Sequence, residues 1–226
     1  VERLGEGEIL SPSPRSSPTI SLRQGFDPTR GRGRVASKAS IVVKKDLMDI
    51  SIVIPAYNEE TNLPDLIGQI HDVLGGLELE CEIIVVDDAS TDGTSSVAAA
   101  AGARVISHPY NMGNGAAVKT GIRGAAGITL ILMDGDGQHK PGDIPGLLDA
   151  AKEYDLVVGA RTAKSHAGFH RFAGNTIYNW LASYVTKFRI EDLTSGFRAV
   201  NRKAALRYLY LLPNTFSYPT TMTMAF

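Results

Sequence analysis

Leu130-Ile131-Leu132-Met133-Asp134-Gly135-Asp136-Gly137-Gln138-His139 is the stretch on which the fold turns: an apolar run stops abruptly in two aspartates spaced i and i+2. The apolar part reads as a buried strand of a parallel sheet. The acids then sit at the strand's carboxyl end, where open α/β sheets place their ligands. Two carboxylates this close repel each other unless a cation lies between them. Oxygen ligands from Asp134 and Asp136, with Gln138 as a third candidate, suit Mg²⁺ or Mn²⁺, the shell being completed by substrate phosphates. The plain alternative is a polar turn in which Gly135 and Gly137 make the bends.

The same pattern recurs upstream. Ile50-Ser51-Ile52-Val53-Ile54-Pro55 is a buried-strand run followed by Ala56-Tyr57-Asn58-Glu59-Glu60. A helix from Thr61 or Asn62 to Leu74 puts Leu63, Leu66, Ile67 and Ile70 on one face. Glu82-Ile83-Ile84-Val85-Val86-Asp87-Asp88 is a second apolar strand ending in acids, and Ser90-Thr91-Asp92-Gly93-Thr94 leads into a helix through Ala101, with Asp92 as a capping residue. A third strand is expected over 103–107. Asn111-Met112-Gly113-Asn114-Gly115 then opens a helix through about Ala126, and its glycines allow either a phosphate-cradling loop or close helix packing. Beyond the Asp134 stretch, a helix over 144–153 and a strand Leu156–Gly159 continue the alternation, which predicts an α/β fold with a mainly parallel central sheet and helices on both faces. One acidic strand end is ordinary; Tyr57–Glu59, Asp87–Asp88 and Asp134–Asp136 on a shared edge point to a nucleotide and a metal.

Charge is unevenly spread. Residues 1–45 hold nine Lys/Arg against four Asp/Glu, and the remainder fourteen against twenty, so the net −1 is a +5 segment followed by a −6 body. An acidic body argues against nucleic acid as a partner. The first 47 residues, with Ser11-Pro12-Ser13-Pro14 and Arg30-Gly31-Arg32-Gly33-Arg34, read as a disordered basic tail, and 48–226 as the catalytic domain. The tail's plain reading is a solvated extension; its alternative is attraction to an anionic membrane surface. Cys81 is the only cysteine, so no intrachain disulfide forms, which fits a reducing compartment. No apolar run approaches the ~18 residues of a membrane span, and no signal peptide is visible.

Val53-Ile54-Pro55-Ala56-Tyr57-Asn58-Glu59-Glu60, Val85-Val86-Asp87-Asp88-Ala89-Ser90-Thr91-Asp92-Gly93-Thr94 and Asp134-Gly135-Asp136-Gly137-Gln138-His139 resemble, in this order, the motifs of family 2 glycosyltransferases with the GT-A fold. The branch they resemble is that of the polyprenyl-phosphate glycosyltransferases, such as the dolichyl-phosphate mannose synthases. The resemblance spans roughly residues 48–226. It implies that Pro55, Ala56, Tyr57 and Glu59 line the base and ribose pocket with Val85, Asp87, Asp88, Ser90 and Gly135. It further implies that Asp134, Asp136 and Gln138 hold Mg²⁺ or Mn²⁺ on the donor diphosphate, with Asp136 also counted as catalytic.

In the second half, Arg161 follows a strand, and Arg171 and Asn175 share a helix face. The resemblance makes Arg161, Arg171 and Asn175 the holders of the acceptor phosphate, and adds Arg161 to the catalytic set. The alternative for both arginines is surface ion pairing. His166 and His170 read as loop residues. The apolar positions of a helix over 172–188 fit core packing, or a surface that meets the bilayer. Asp192-Leu193-Thr194-Ser195-Gly196-Phe197-Arg198 resembles the family's Asp-x-x-Ser-Gly-Phe-Arg segment, in which Asp192 takes the place of a general base for hydroxyl acceptors. An ion pair of Asp192 with Arg198 or Arg202 is the structural alternative. Phe216–Phe226 ends inside an apparent helix, so the domain reads as C-terminally incomplete.

The expected activity is inverting, metal-dependent transfer of a mannose- or glucose-type sugar from a GDP- or UDP-sugar to a polyprenyl or dolichyl phosphate, by a peripheral enzyme on the cytoplasmic membrane face. Its rivals are transfer to a saccharide hydroxyl and a nonenzymatic nucleotide-sugar-binding module. A Rossmann dehydrogenase is disfavoured because no Gly-x-Gly-x-x-Gly follows the first strand.

Overall fold

The computed structural model describes residues 48–159 and 192–226. The tail expected over 1–47, and Arg161, His166, His170, Arg171, Asn175 and the helix expected over 172–188, lie outside the described residues. The chain runs β1 (Ile50–Ala56), α1 (Leu63–Leu74), β2 (Cys81–Asp87), α2 (Thr94–Ala100), β3 (Arg104–Ser107), α3 (Asn114–Gly124) and β4 (Thr129–Leu132). A 3₁₀ turn (Pro141–Asp143), α4 (Ile144–Ala150) and β5 (Leu156–Val158) follow. After residue 191 come β6 (Arg198–Asn201), α5 (Arg202–Tyr208), a second 3₁₀ turn (Leu209–Leu211) and α6 (Tyr218–Ala225). Among the described residues no helix is long and apolar enough to cross a membrane.

The six strands of the described residues form one sheet in the order β3-β2-β1-β4-β6-β5. Pairing is parallel from β3 to β4, whereas β6 runs antiparallel to both β4 and β5. The sheet is therefore mixed and mostly parallel. Alternation along each strand divides the core into two layers. Ile50, Ile52, Ile54, Ile83, Val85 and Ile131 pack with Leu63, Leu66, Ile67, Ile70 and Leu74 of α1 on one face. Val53, Ile84, Val86, Leu130 and Leu132 pack with Ala117, Val118 and Ile122 of α3, and with Tyr218 and Met222 of α6, on the other. Each fully buried Leu, Ile or Val contributes about 1.5–3 kcal/mol, which is what keeps the weak helix former α3 in place.

Several boundaries are shorter than the sequence pattern predicts. α3 stops at Gly124 because Ala125 turns extended (ψ 142°), and α4 stops at Ala150. The glycines at the start of α3 serve packing. Gly113 has φ +96°, and a Cβ there would lie 2.5 Å from Asn214 O, while one on Gly115 would lie 2.2 Å from Pro213 O. Ala116 N–H donates to Asn214 O at 3.2 Å, and Lys119 Nζ donates to Leu212 O at 3.0 Å. The 213–215 backbone thus occupies the place where a phosphate cradle was the alternative.

Glu82 ties β2 to its neighbours. Its Oε1 accepts from Ser51 Oγ at 2.6 Å and Ala126 N at 2.7 Å, and its Oε2 from Arg104 Nη2 at 3.0 Å. Burial pushes this carboxyl up, but the bonds from Ser51, Ala126 and Arg104 outweigh it and hold the pKa below 4.5. A folded-state pKa below the unfolded one stabilises fully above the unfolded value and is lost as pH falls through the folded value. Glu82→Ala is expected to lower stability at pH 7 by about 1–3 kcal/mol. In urea titrations the gap to wild type should close as pH drops below 4.5; a gap that persists at pH 3 would assign the effect to packing instead.

Candidate functional site

Register brings the acidic strand ends together. Ala56 lies opposite Asp87 across β1 and β2, and Val53 opposite Leu132 across β1 and β4. Gly135 continues beside β1, where a Cβ would come 3.2 Å from Pro55 O. The carboxyl ends of β2, β1 and β4 are therefore adjacent at one edge of the sheet. Pro55, Ala56 and Val85 are buried in the floor, while Tyr57 is half-exposed at the rim.

The loops after β1 and β2 are stitched to each other. Asn58, at φ +56°, accepts from Thr91 N at 2.9 Å through Oδ1, and its own N–H donates to Ser90 Oγ at 2.9 Å. Glu59 N–H donates to Thr94 Oγ1 at 2.8 Å, and Gly93 N–H to Glu60 Oε2 at 2.9 Å. Asp92 accepts from Thr94 N at 3.1 Å, but the N-cap of α2 is Gly93, so Asp92 stands one residue outside the capping position expected of it; the Thr94 hydroxyl bond holds its carboxyl below the ordinary range. Asp87 accepts from Ser90 N at 2.9 Å and from the Ser95 hydroxyl. Asp88, only 3 % exposed, accepts from Met112 N and Gly113 N, each at 2.8 Å, and meets His108 Nδ1 at 2.7 Å.

At the end of β4, Asp134 N–H donates to His139 Nδ1 at 3.2 Å. In neutral imidazole the proton then sits on Nε2, which lies 3.9 Å from Asp134 Oδ2. The His139 ring stacks on Phe197 at 5.2 Å and 17°. Asp136 and Gln138 are exposed; Asp136 Oδ1 accepts from Gln138 N at 3.0 Å, in a turn that Gly137 permits at φ +72°. Among the described residues no group of three or more His, Cys, Asp or Glu side chains is set to hold a metal alone. Asp134, Asp136 and Gln138 are hard oxygen donors, too few to fill a shell. That donor set fits Mg²⁺ or Mn²⁺ bound jointly with a ligand's phosphate oxygens.

The 192–198 segment closes the β4 side. A Cβ on Gly196 would lie 2.4 Å from Asp134 Oδ2, so only glycine lets this backbone abut the carboxylate. Ser195 Oγ donates to Gly159 O at 2.7 Å, and Gly159 N–H to Phe197 O at 2.9 Å, which fastens the segment to the end of β5. Asp192 Oδ1 accepts from Thr194 N at 3.1 Å. Arg198 is fully buried and donates to Ser195 O at 2.7 Å, Leu193 O at 3.0 Å and Thr223 Oγ1 at 2.8 Å. Burial lowers its pKa to about 10, opposed by Tyr218, Asp192 and Asp134. Burial raises the Tyr218 phenol, and Asp134 adds to that. Sequence reasoning gives no site role to His108, His139 or Gly196. The His139 position is visible in the Asp134 stretch, but nothing in the sequence signals His108.

A family model for Glycosyl transferase family 2 matches residues 51–209. The chain is 32 % identical over 164 residues to an undecaprenyl-phosphate 4-deoxy-4-formamido-L-arabinose transferase of Aeromonas hydrophila, covering 70 % of this chain and 50 % of that protein. It is 31 % identical over 164 residues to an undecaprenyl-phosphate mannosyltransferase of Micrococcus luteus, covering 67 % of this chain and 66 % of that one. The chain thus spans half the length of the first of these relatives. Among solved structures, glucosyl-3-phosphoglycerate synthase from Mycobacterium tuberculosis, in complex with Mn²⁺ and UDP-glucose, superposes with a TM-score of 0.61 at 25 % identity, over 76 % of this chain and 62 % of that one. The mixed, mostly parallel sheet flanked by helices is that of the GT-A fold.

Proposed function

The chain belongs to glycosyl transferase family 2, and from that premise we propose that it moves a mannose- or glucose-type sugar from a nucleoside-diphosphate sugar to a polyprenyl phosphate, with inversion. The supporting observation is the adjacency of the β1, β2 and β4 carboxyl ends, each carrying acidic residues. The relatives' names, two of which specify undecaprenyl phosphate, support the acceptor class.

In this reading Pro55, Ala56, Tyr57, Glu59, Val85, Asp87, Ser90 and Gly135 form the base and ribose pocket. Asp134, Asp136 and Gln138 hold Mg²⁺ or Mn²⁺ against the donor diphosphate. When bound, the cation supplies Lewis-acid neutralisation of the charge on the leaving group, worth several kcal/mol. Arg161, Arg171 and Asn175 hold the acceptor phosphate, the planar guanidinium fork matching its oxygens. A phosphate oxygen attacks the anomeric carbon as the bond to the diphosphate breaks, its electron pair leaving with the nucleoside diphosphate. A phosphate already ionised needs no proton removed, so positioning and charge stabilisation carry the rate. A lipid acceptor puts the enzyme at a membrane surface, on its cytoplasmic face.

Transfer to a saccharide hydroxyl is the second reading, favoured by the seating of the 192–198 segment against Asp134. The test is calorimetric titration with GDP, UDP, GDP-mannose and UDP-glucose, each with and without Mn²⁺, followed by transfer assays on polyprenyl phosphate and on saccharides. The expected result is Mn²⁺-dependent binding of one base and transfer to the lipid phosphate that survives Asp192→Asn. Transfer to a saccharide that Asp192→Asn lowers by about 10²-fold or more would establish the second reading instead. Folded protein that binds none of the four overturns both.

A further inference from the structure

We propose that the face of the sheet carrying α3, α5 and α6 docks on an anionic phospholipid bilayer, with the turn over 209–216 as its apolar anchor. The proposal builds on the lipid-acceptor reading above and names the surface that meets the membrane. The two faces of the sheet differ in charge. On one, α1 and α4 carry Asp65, Asp72 and Asp149 and no Lys or Arg. On the other, α3 and α5 carry Lys119, Arg123, Arg202, Lys203 and Arg207, and neither they nor α6 holds an acid. The contrast extends to the adjoining loops: residues 93–133 and 193–226 contain no Asp or Glu. A body whose net charge is −6 thus keeps one side basic.

Apolar side chains are bared on the same side. Phe216, Tyr210 and Tyr110 are the most exposed large apolar residues among those described, at 82 %, 80 % and 64 %. They and the exposed Met112 and Leu211 lie on two segments that touch. Ala116 N–H donates to Asn214 O at 3.2 Å, Lys119 Nζ donates to Leu212 O at 3.0 Å, and a Cβ on Gly113 would meet Asn214 O. Tyr110 and Met112 therefore stand beside the turn that carries Tyr210, Leu211 and Phe216. Leu209, Leu212 and Tyr218 of the same stretch are buried, so the segment is packed and what it leaves bare points outward. Apolar clusters bared in a packed segment mark contact surfaces. Aromatic tips set among Lys and Arg suit the headgroup level of a bilayer, the rings entering it and the cations meeting lipid phosphates. A nucleic acid would use the cations and leave Met112, Leu211 and Phe216 in water. The turn also abuts the start of α3, beside the loop whose Met112 N–H donates to Asp88 at the end of β2. Docking there brings the carboxyl edge of the sheet, and with it the candidate site, to the membrane that holds a lipid phosphate.

The test is co-sedimentation of the full chain with vesicles of phosphatidylcholine alone or mixed with phosphatidylglycerol. The vesicles hold neither nucleotide nor polyprenyl phosphate, so the outcome stands apart from whether transfer to a lipid phosphate is observed. Wild type is expected to bind the mixed vesicles at least about tenfold more tightly than the neutral ones, each cation near the surface being worth about fivefold. Tyr210→Ser with Phe216→Ser should lose about tenfold or more on the mixed vesicles. Lys203→Gln with Arg207→Gln should lose about as much there and little on neutral ones. All four residues are exposed or half-buried, so urea midpoints should stay put. The basic 1–45 segment is the same in every variant, and differences among variants therefore report the turn. Depth is read by tryptophan fluorescence against brominated lipid. Phe216→Trp should be quenched well above the background of Trp180, the one tryptophan of the chain. Leu79→Trp, exposed just ahead of β2 at the opposite edge, should not. No binding to mixed vesicles overturns the proposal, as does equal quenching at 216 and 79. Binding that the serine pair leaves unchanged assigns the contact to charge alone and overturns the bilayer as its partner.

Discussion

Asp136→Ala is expected to abolish Mn²⁺-dependent nucleotide binding and to lower sugar transfer by about 10³-fold, roughly 4 kcal/mol of lost charge stabilisation. Its fold should survive. Asp136 is exposed, and its hydrogen bond is a local one to Gln138 N at 3.0 Å, so the stability change should stay within about 0.5 kcal/mol. Asp134→Ala differs in kind. Asp134 lies against Gly196, and its charge is felt by both Arg198 and Tyr218. Removing it should disturb stability together with binding. Calorimetry with GDP or UDP, with and without Mn²⁺, beside a urea titration separates the two effects. Nucleotide affinity in Asp136→Ala that still rises with Mn²⁺ would remove Asp136 from the metal set.

The strands that carry the acids were legible because each is an apolar run of fixed period ending in charge: Ile50–Ala56, Cys81–Asp87 and Thr129–Leu132 all stand where the pattern predicts. Their parallel direction follows from alternation with helices. β6 was not legible. It is four residues long, begins with a buried arginine and runs antiparallel, so neither hydrophobic period nor helix alternation marks it. The start of α3 shows a different limit. Gly113 and Gly115 look alike for phosphate binding and for backbone packing, and only the tertiary approach of 213–215 distinguishes them. His108 is invisible for a similar reason, because its partners Asp88 and Thr120 lie 20 and 12 residues away. Arg198, weighed as an ion-pair partner of Asp192, donates to two carbonyls and a threonine hydroxyl and feels the Asp192 charge as well.

That buried cation carries the largest expected stability effect. Arg198→Leu keeps an apolar volume but removes the guanidinium N–H groups that donate to Ser195 O, Leu193 O and Thr223 Oγ1. The cost should be about 3 kcal/mol in urea titrations at pH 7, since an orphaned buried acceptor costs about 1–3 kcal/mol and the carbonyls recover part of it. Arg198→Leu with Thr223→Val removes one orphan and should recover about 1 kcal/mol. The pH dependence is sharper still. Burial lowers the Arg198 pKa from the ordinary guanidinium range to about 10, so the folded state releases this proton before the unfolded state does, and stability rises with pH above about 10. Burial raises the Tyr218 phenol above 10.0, so there the unfolded state releases its proton first, and stability falls as pH climbs past 10.0. In wild type the two slopes oppose each other. Arg198→Leu deletes the rising one and also lifts the opposing pull of the cation on the phenol. The variant should therefore lose stability with pH above 10.0, where wild type holds nearly level, and adding Tyr218→Phe should flatten it again. Parallel alkaline curves for wild type and Arg198→Leu would show that the guanidinium and the phenol do not share one buried environment.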